Sequence, residues 1–75
     1  GFNLNRIEDL LLSHNRIKNL TFNDFKLLKT LSSLNFEYNL IEFIEPSSFS
    51  NLITLNKLML NFNRLKYLDK NVFNN

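Results

Sequence analysis

The sequence predicts an α/β fold built from repeats, in which short parallel strands alternate with irregular return segments. Apolar residues recur along the chain with a period of 24 residues. Each period opens with apolar residues two positions apart, the spacing of a strand with one buried side. An asparagine follows each of these strands at a constant distance. Together these observations indicate a short solenoid.

The period divides the chain into repeats. We expect the tail of a preceding repeat at 1–6, complete repeats at 7–30 and 31–54, and a truncated repeat at 55–75. Both ends therefore look cut from a longer array, and the neighbouring repeats of the parent chain are expected partners. Repeat proteins gain stability from the interfaces between adjacent repeats. The segment is thus expected to be marginally stable alone.

The strands are predicted at the start of each repeat, at Leu10-Leu11-Leu12, Leu34-Asn35-Phe36 and Leu58-Met59-Leu60. Strands that recur in one direction pair in parallel, and the return segment must cross on the other side of the core. The second halves of the repeats lack a sustained helical stripe. Loops or short helical turns are therefore expected in the return.

Asn15, Asn39 and Asn63 form one column of the repeat. Each follows the strand where the chain turns inward. An amide side chain has two donors and an acceptor, so a buried Asn can bond backbone groups that the turning chain leaves free. We expect these residues to form a structural ladder that links each coil to the next.

The pattern Leu-x-x-Leu-x-Leu-x-x-Asn-x-Leu-x-x-Leu, followed five residues later by Phe, resembles the leucine-rich repeat family in its 24-residue class. The match covers residues 7–75. The resemblance implies a curved right-handed superhelix, with short parallel strands on the concave face and loops or short helical turns on the convex face. It also implies a Phe spine at Phe25, Phe49 and Phe73. In this family the 24-residue class with that Phe is frequent in extracellular receptors, adhesion proteins and matrix proteins.

Side chains that point away from the core would line the concave face, where the family binds protein ligands. Leu11 and Met59 are apolar where solvent is expected, and Tyr38 and Phe62 continue an aromatic column that starts at His14. Aromatic residues and Met are enriched in interface cores. The alternative is that these are ordinary exposed apolar residues and that Phe62 folds back on its own repeat. The candidate protein-binding residues are Asp9, Leu11, Ser13, His14, Ser33, Asn35, Glu37, Tyr38, Lys57, Met59, Asn61 and Phe62.

Composition argues against several other functions. The chain has 75 residues, too few for a two-domain enzyme, and its net charge of +2 is dispersed, which disfavours nucleic-acid binding. It has no Cys, a single His and a single Gly, so no metal site, catalytic residue or cofactor is expected. The longest apolar run, Leu10–Leu12, is far shorter than a membrane span, and no direct membrane contact is expected.

Asn19-Leu20-Thr21 fits the N-glycosylation acceptor motif, so Asn19 is a candidate glycosylation site. This motif favours an extracellular or cell-surface ectodomain that recognises a protein ligand or co-receptor. The alternative is an intracellular scaffold built from the same repeat, which the absence of Cys permits. Glycan occupancy at Asn19 would separate these two functions.

Overall fold

A three-stranded parallel sheet joins the repeats in the computed structural model, which describes residues 6–73. The strands β1 (Asp9–Leu11), β3 (Ser33–Asn35) and β5 (Lys57–Met59) lie in the order β1-β3-β5. Their register aligns Leu10, Leu34 and Leu58. The 24-residue period therefore places equivalent residues side by side, and the predicted parallel pairing is confirmed.

A second parallel sheet lies in the return segments, where only loops or short helical turns were expected. It pairs β2 (Asn19–Leu20) with β4 (Phe43–Ile44). In both strands the first residue is exposed and the second is buried. Two residues are too few to show a strand period in the sequence, so the sequence pattern did not reveal this sheet.

One short helix, α1 (Phe22–Phe25), follows β2. The Asp24 carboxylate accepts hydrogen bonds from the Thr21 backbone N–H at 2.8 Å and from the Thr21 hydroxyl at 3.1 Å. This contact fixes the start of the helix. In the later repeats the equivalent segments, 46–51 and 70–73, form turns. The expected short helical turns are thus present.

The core lies between the β1-β3-β5 sheet and the return segments, which include the β2-β4 sheet. Its most buried apolar members have relative exposures of 0–1% and are Leu31, Leu34, Phe36 and Ile41 of the middle repeat and Val72 of the last. Several apolar residues of the flanking repeats, including Leu10 and Leu58, pack against this core and are only partly buried. The middle repeat is the best covered because it has a neighbouring repeat on each side.

The Phe spine runs along the return side of the core. The rings of Phe25 and Phe49 lie 5.2 Å apart and those of Phe49 and Phe73 lie 5.9 Å apart. Phe25 also meets Phe36 edge to face at 5.8 Å. Phe25 and Phe49 are buried, whereas Phe73 is 54% exposed. The spine therefore packs one repeat against the next through aromatic contacts.

Asn39 and Asn63 hold the inward turns in place and cross-link the repeats. The Asn39 side-chain amide donates to the carbonyl oxygens of Leu12 and Phe36, both at 2.9 Å. Its oxygen accepts from the Ile17 N–H at 3.1 Å. Asn63 repeats the arrangement 24 residues later, with bonds to the Phe36 and Leu60 carbonyls and from the Ile41 N–H.

The link predicted from Asn15 to a neighbouring coil stays a prediction, because the preceding coil lies outside the described residues. Asn15 is exposed, and its amide bonds the carbonyls of Leu12 and Ser13 within its own repeat. The residue does not link its coil to another in the described part of the chain. In Asn39 the bond between coils runs back to the preceding strand, at Leu12.

A second column of side-chain bonds, which the sequence pattern did not suggest, crosses the repeats before each strand. The Thr30 hydroxyl donates to the Ile7 carbonyl and the Thr54 hydroxyl to the Leu31 carbonyl, each at 2.8 Å. Thr54 follows Thr30 by 24 residues, so the same bond recurs in consecutive repeats. Side-chain hydrogen bonds thus link neighbouring repeats both before the strand, through the Thr residues, and after it, through the Asn residues.

Candidate functional site

The outer sheet face is defined here as the outward side chains of β1, β3 and β5 together with those of residues 13–14, 37–38 and 61–62. The twelve predicted binding residues all lie on it, and each is exposed or half-buried. The exposed members are Asp9, Leu11, His14, Tyr38, Lys57, Asn61 and Phe62. The half-buried members are Ser13, Ser33, Asn35, Glu37 and Met59. The structure therefore brings the predicted residues together on one surface.

Three rings form a continuous stack on this face. The centroids of His14 and Tyr38 lie 4.5 Å apart, with planes inclined by 7°. Those of Tyr38 and Phe62 lie 4.4 Å apart, with planes inclined by 6°. Tyr38 is 46% exposed and Phe62 is 65% exposed. Phe62 therefore stacks on the neighbouring repeat and stays open to solvent.

The backbone places these rings. His14, Tyr38 and Phe62 have φ values of 57°, 59° and 62°, in the left-handed region that favours glycine. In this conformation the His14 N–H reaches the Glu37 carbonyl at 3.0 Å, and the Tyr38 N–H reaches the Asn61 carbonyl at 3.1 Å. These bonds extend the parallel pairing past the strand ends. The same strained conformation in each repeat thus sets the rings parallel.

The column beside the stack contains Leu11, Asn35 and Met59, which are aligned in the sheet. Leu11 is 71% exposed and Met59 is half-buried. The Asn35 side-chain oxygen accepts from the Glu37 N–H at 2.9 Å, so the amide is held against its own chain. The column offers apolar surface on either side of a fixed polar residue.

Charge is distributed unevenly across the same face. Asp9 of β1 is aligned with Ser33 of β3 and Lys57 of β5. Neighbouring strands lie about 4.8 Å apart, so the acidic and basic side chains stand about 10 Å from each other across the sheet. Glu8 is exposed at the acidic edge and Arg64 is exposed in the repeat of Lys57. The face has an acidic side and a basic side, and the ring stack runs from the repeat of Asp9 to that of Lys57.

The part of the chain that the structure describes contains no group of three or more His, Cys, Asp or Glu side chains placed to hold a metal ion. The His14 ring is stacked on Tyr38, and its neighbours are the polar residues Ser13 and Asn15. Nothing in this arrangement supplies a nucleophile with an oriented base. Across residues 6–73, no helix has the length and apolar character that a membrane crossing demands.

Two exposed aromatic residues outside this face escaped the sequence reasoning. Phe43 is 46% exposed on β4, and Tyr67, which follows it by 24 residues, is 74% exposed. Their column begins at Asn19. The 24-residue spacing of positions 19, 43 and 67 is a signal that the sequence contains. Each of these positions, however, resembles an ordinary solvent-facing site between two core columns.

The comparison with known families matches the leucine rich repeat model over residues 29–75. The chain belongs to the leucine-rich repeat family. A comparison of the sequence with curated proteins finds no match. In this leucine-rich repeat chain the matched residues include β3, β5 and the Phe spine residues Phe49 and Phe73. Membership indicates a role in protein–protein interaction.

Proposed function

We propose that the chain is a protein-binding segment of a receptor or adhesion-type ectodomain and recognises a protein ligand or co-receptor through its outer sheet face. In this proposal the face is the concave side of a curved right-handed solenoid. The segment binds and does no chemistry, and its partner is neither nucleic acid nor membrane. Neighbouring repeats of a longer array extend the same face.

The stack of His14, Tyr38 and Phe62 carries the proposal. The rings are stacked in the absence of a partner, and the backbone N–H groups of His14 and Tyr38 are bonded to the next repeat. Tyr38 and Phe62 nevertheless leave about half or more of their surface in water. Rigid aromatic residues lose little conformational entropy on binding and are enriched among the residues that dominate interface energies. With Leu11 and Met59 beside them, they form an apolar centre.

The surroundings of the stack support a protein partner. The apolar residues extend across the face from the repeat of Asp9, on the acidic side, to that of Lys57, on the basic side. Interfaces commonly combine an apolar core with a charged rim that sets orientation. The extracellular placement rests on the family class and on the exposed acceptor motif at Asn19. The intracellular scaffold is the alternative that the experiment must separate.

The test compares two triple variants in a binding screen. The first, Tyr38→Ala/Met59→Ala/Phe62→Ala, removes the apolar centre of the outer sheet face. The matched control, Leu27→Ala/Ile53→Ala/Tyr67→Ala, removes three exposed apolar side chains that lie off this face. Each protein is multimerised to raise avidity and screened on arrays of purified ectodomains and of cytosolic proteins. Circular dichroism verifies that all of them fold.

We expect an ectodomain or secreted protein to bind the wild type and the control. The first variant is expected to bind at least about tenfold more weakly, because interface aromatic residues commonly contribute more than 1 kcal/mol each. Binding lost only in the control would place the site on another surface. Specific binding confined to cytosolic proteins would favour the intracellular scaffold.

A further inference from the structure

The second sheet places a glycosylation motif beside an exposed aromatic ring. Asn19 of β2 is aligned with Phe43 of β4 in the parallel register, and the following residues, Leu20 and Ile44, are aligned in the core. Because successive side chains of a strand point to opposite faces, Asn19 and Phe43 lie on the same solvent-exposed face of the β2-β4 sheet. Both are exposed, and Phe43 keeps 46% of its surface in water.

We propose that Asn19 carries an N-linked oligosaccharide whose first N-acetylglucosamine packs on the ring of Phe43. The inference rests on the extracellular placement in the proposed function. Neighbouring strands lie about 4.8 Å apart, so a sugar attached to Asn19 begins within reach of the ring. The C–H face of a sugar and its acetyl group can cover an aromatic face and remove apolar surface from water.

The covalent step is a glycosyl transfer with a polyprenyl pyrophosphate-linked oligosaccharide as the donor. The Asn19 side-chain nitrogen forms a bond to the anomeric carbon of the first sugar. The bond from that carbon to the pyrophosphate oxygen breaks, and the polyprenyl pyrophosphate leaves with the electron pair. The amide nitrogen gives up one proton to a base of the transferase. No electrons are exchanged with an oxidant or reductant.

The surroundings leave room for a glycan and keep it off the binding face. Lys18 and Glu42, which precede the two residues on their chains, are exposed. The column continues at Tyr67, which is 74% exposed. The pair belongs to the β2-β4 sheet, whereas the outer sheet face belongs to the β1-β3-β5 sheet. A glycan on Asn19 therefore covers the exposed ring of Phe43 while the stack at Tyr38 stays accessible.

Occupancy is tested first, on the full chain secreted from a eukaryotic cell line. Enzymatic deglycosylation in heavy-oxygen water converts an occupied Asn to labelled Asp, which mass spectrometry locates. We expect the label at Asn19 in the wild type and in Thr21→Ser, and its loss in Thr21→Ala. The matched control Asn23→Gln changes a nearby exposed Asn outside the motif and should keep the label. A secreted wild type without label at Asn19 overturns the proposal.

The packing is tested on the glycosylated chain by NMR of the first sugar's N-acetyl methyl group. The Phe43 ring current should move this resonance upfield of its position in the released glycan. Phe43→Leu should return it to that position, whereas Phe43→Tyr, which keeps the ring, should preserve the shift. Tyr67→Leu serves as the control for a ring elsewhere in the column. A resonance that is the same in wild type and Phe43→Leu contradicts the packing.

The glycan at Asn19 and the binding role of the outer sheet face can be tested separately. Asn19→Gln removes the glycan and leaves the outer sheet face intact, so partner binding should be unchanged. An unmodified Asn19 with partner binding retained would overturn the glycan alone. A modified Asn19 in a protein whose binding ignores the Tyr38, Met59 and Phe62 changes would overturn the proposed binding face alone.

Discussion

The side-chain nitrogen of Asn39 lies 2.9 Å from the carbonyl oxygen of Leu12, a residue of the preceding repeat. The same amide bonds Phe36 of its own repeat, and its oxygen accepts from Ile17. One buried side chain therefore ties together a strand end, a turn and the neighbouring coil. Burying a polar side chain is favourable only when its bonds are made in this way.

Asn39→Leu is expected to destabilise the chain severely. The change leaves the Ile17 N–H without its side-chain acceptor, at a cost of roughly 1 to 3 kcal/mol for a buried group left unpaired. The Phe36 carbonyl keeps its bond from Asn63. Chemical denaturation followed by circular dichroism measures the loss. The matched variant Asn15→Leu should cost less than about 1 kcal/mol, because Asn15 is exposed and water can replace its bonds. Equal losses would contradict the cross-linking role of Asn39.

The stacked rings of Tyr38 and Phe62 are expected to be energetically coupled. A double-mutant cycle of Tyr38→Ala and Phe62→Ala should give a coupling of about 0.5 to 1.5 kcal/mol in the free energy of unfolding. As a control, Tyr38→Ala and Phe43→Ala should be additive, since Phe43 lies on the other sheet. Additive effects in the first pair would mean that the stack contributes no cooperative stability.

Ser47→Gly is expected to stabilise the chain. Pro46 and Ser47 occupy the centre of a turn closed by the Ser48 N–H on the Glu45 carbonyl at 3.1 Å, and Ser47 has a φ of 63°. Glycine would relieve about 1 to 2 kcal/mol of strain and lose about 0.5 to 1 kcal/mol through its freer unfolded chain, a net gain of up to about 1.5 kcal/mol. Thermal unfolding measures the gain. Ser47→Val should destabilise instead, and stabilisation by both variants would rule out backbone strain as the cause.

The spine should be most sensitive at its middle ring. Phe49→Ala removes a side chain that is 4% exposed and packs between Phe25 and Phe73, so a loss of about 3 to 5 kcal/mol in the free energy of unfolding is expected. Phe73→Ala should cost clearly less, because Phe73 is 54% exposed. Denaturant titration of both variants measures and compares their losses in the free energy of unfolding. A larger loss at Phe73 would show that the order of burial along the spine does not set its energetics.

The repeat period alone predicts most of the fold. It aligns Leu10 with Leu34 and Leu58, because stacked coils force residues one period apart to become neighbours. The same period places His14, Tyr38 and Phe62 in one column. It could not reveal that their rings are parallel, because ring orientation follows from a left-handed backbone that Tyr and Phe do not favour.

The second sheet was also beyond the sequence pattern. Asn19–Leu20 and Phe43–Ile44 are strands only because a neighbour supplies their bonds, and two residues have no period to read. The ladder bond predicted for Asn15 would reach back to a coil outside the described residues, so it stays a prediction. The residue type and spacing match Asn39, but its bonding depends on which coil is packed beside it. Contacts of this kind depend on tertiary structure and are not encoded at a single position.

His14, Tyr38 and Phe62 share a left-handed backbone conformation, so their side chains can be exchanged at three structurally equivalent positions. The three φ values differ by only a few degrees, and N–H bonds to the next repeat hold His14 and Tyr38 in place. The main chain thus sets the direction in which each side chain projects, while the residue type determines the contacts that the side chain can make. A combinatorial library at these three positions, without β-branched residues, could vary what the surface recognises while the scaffold beneath it stays the same.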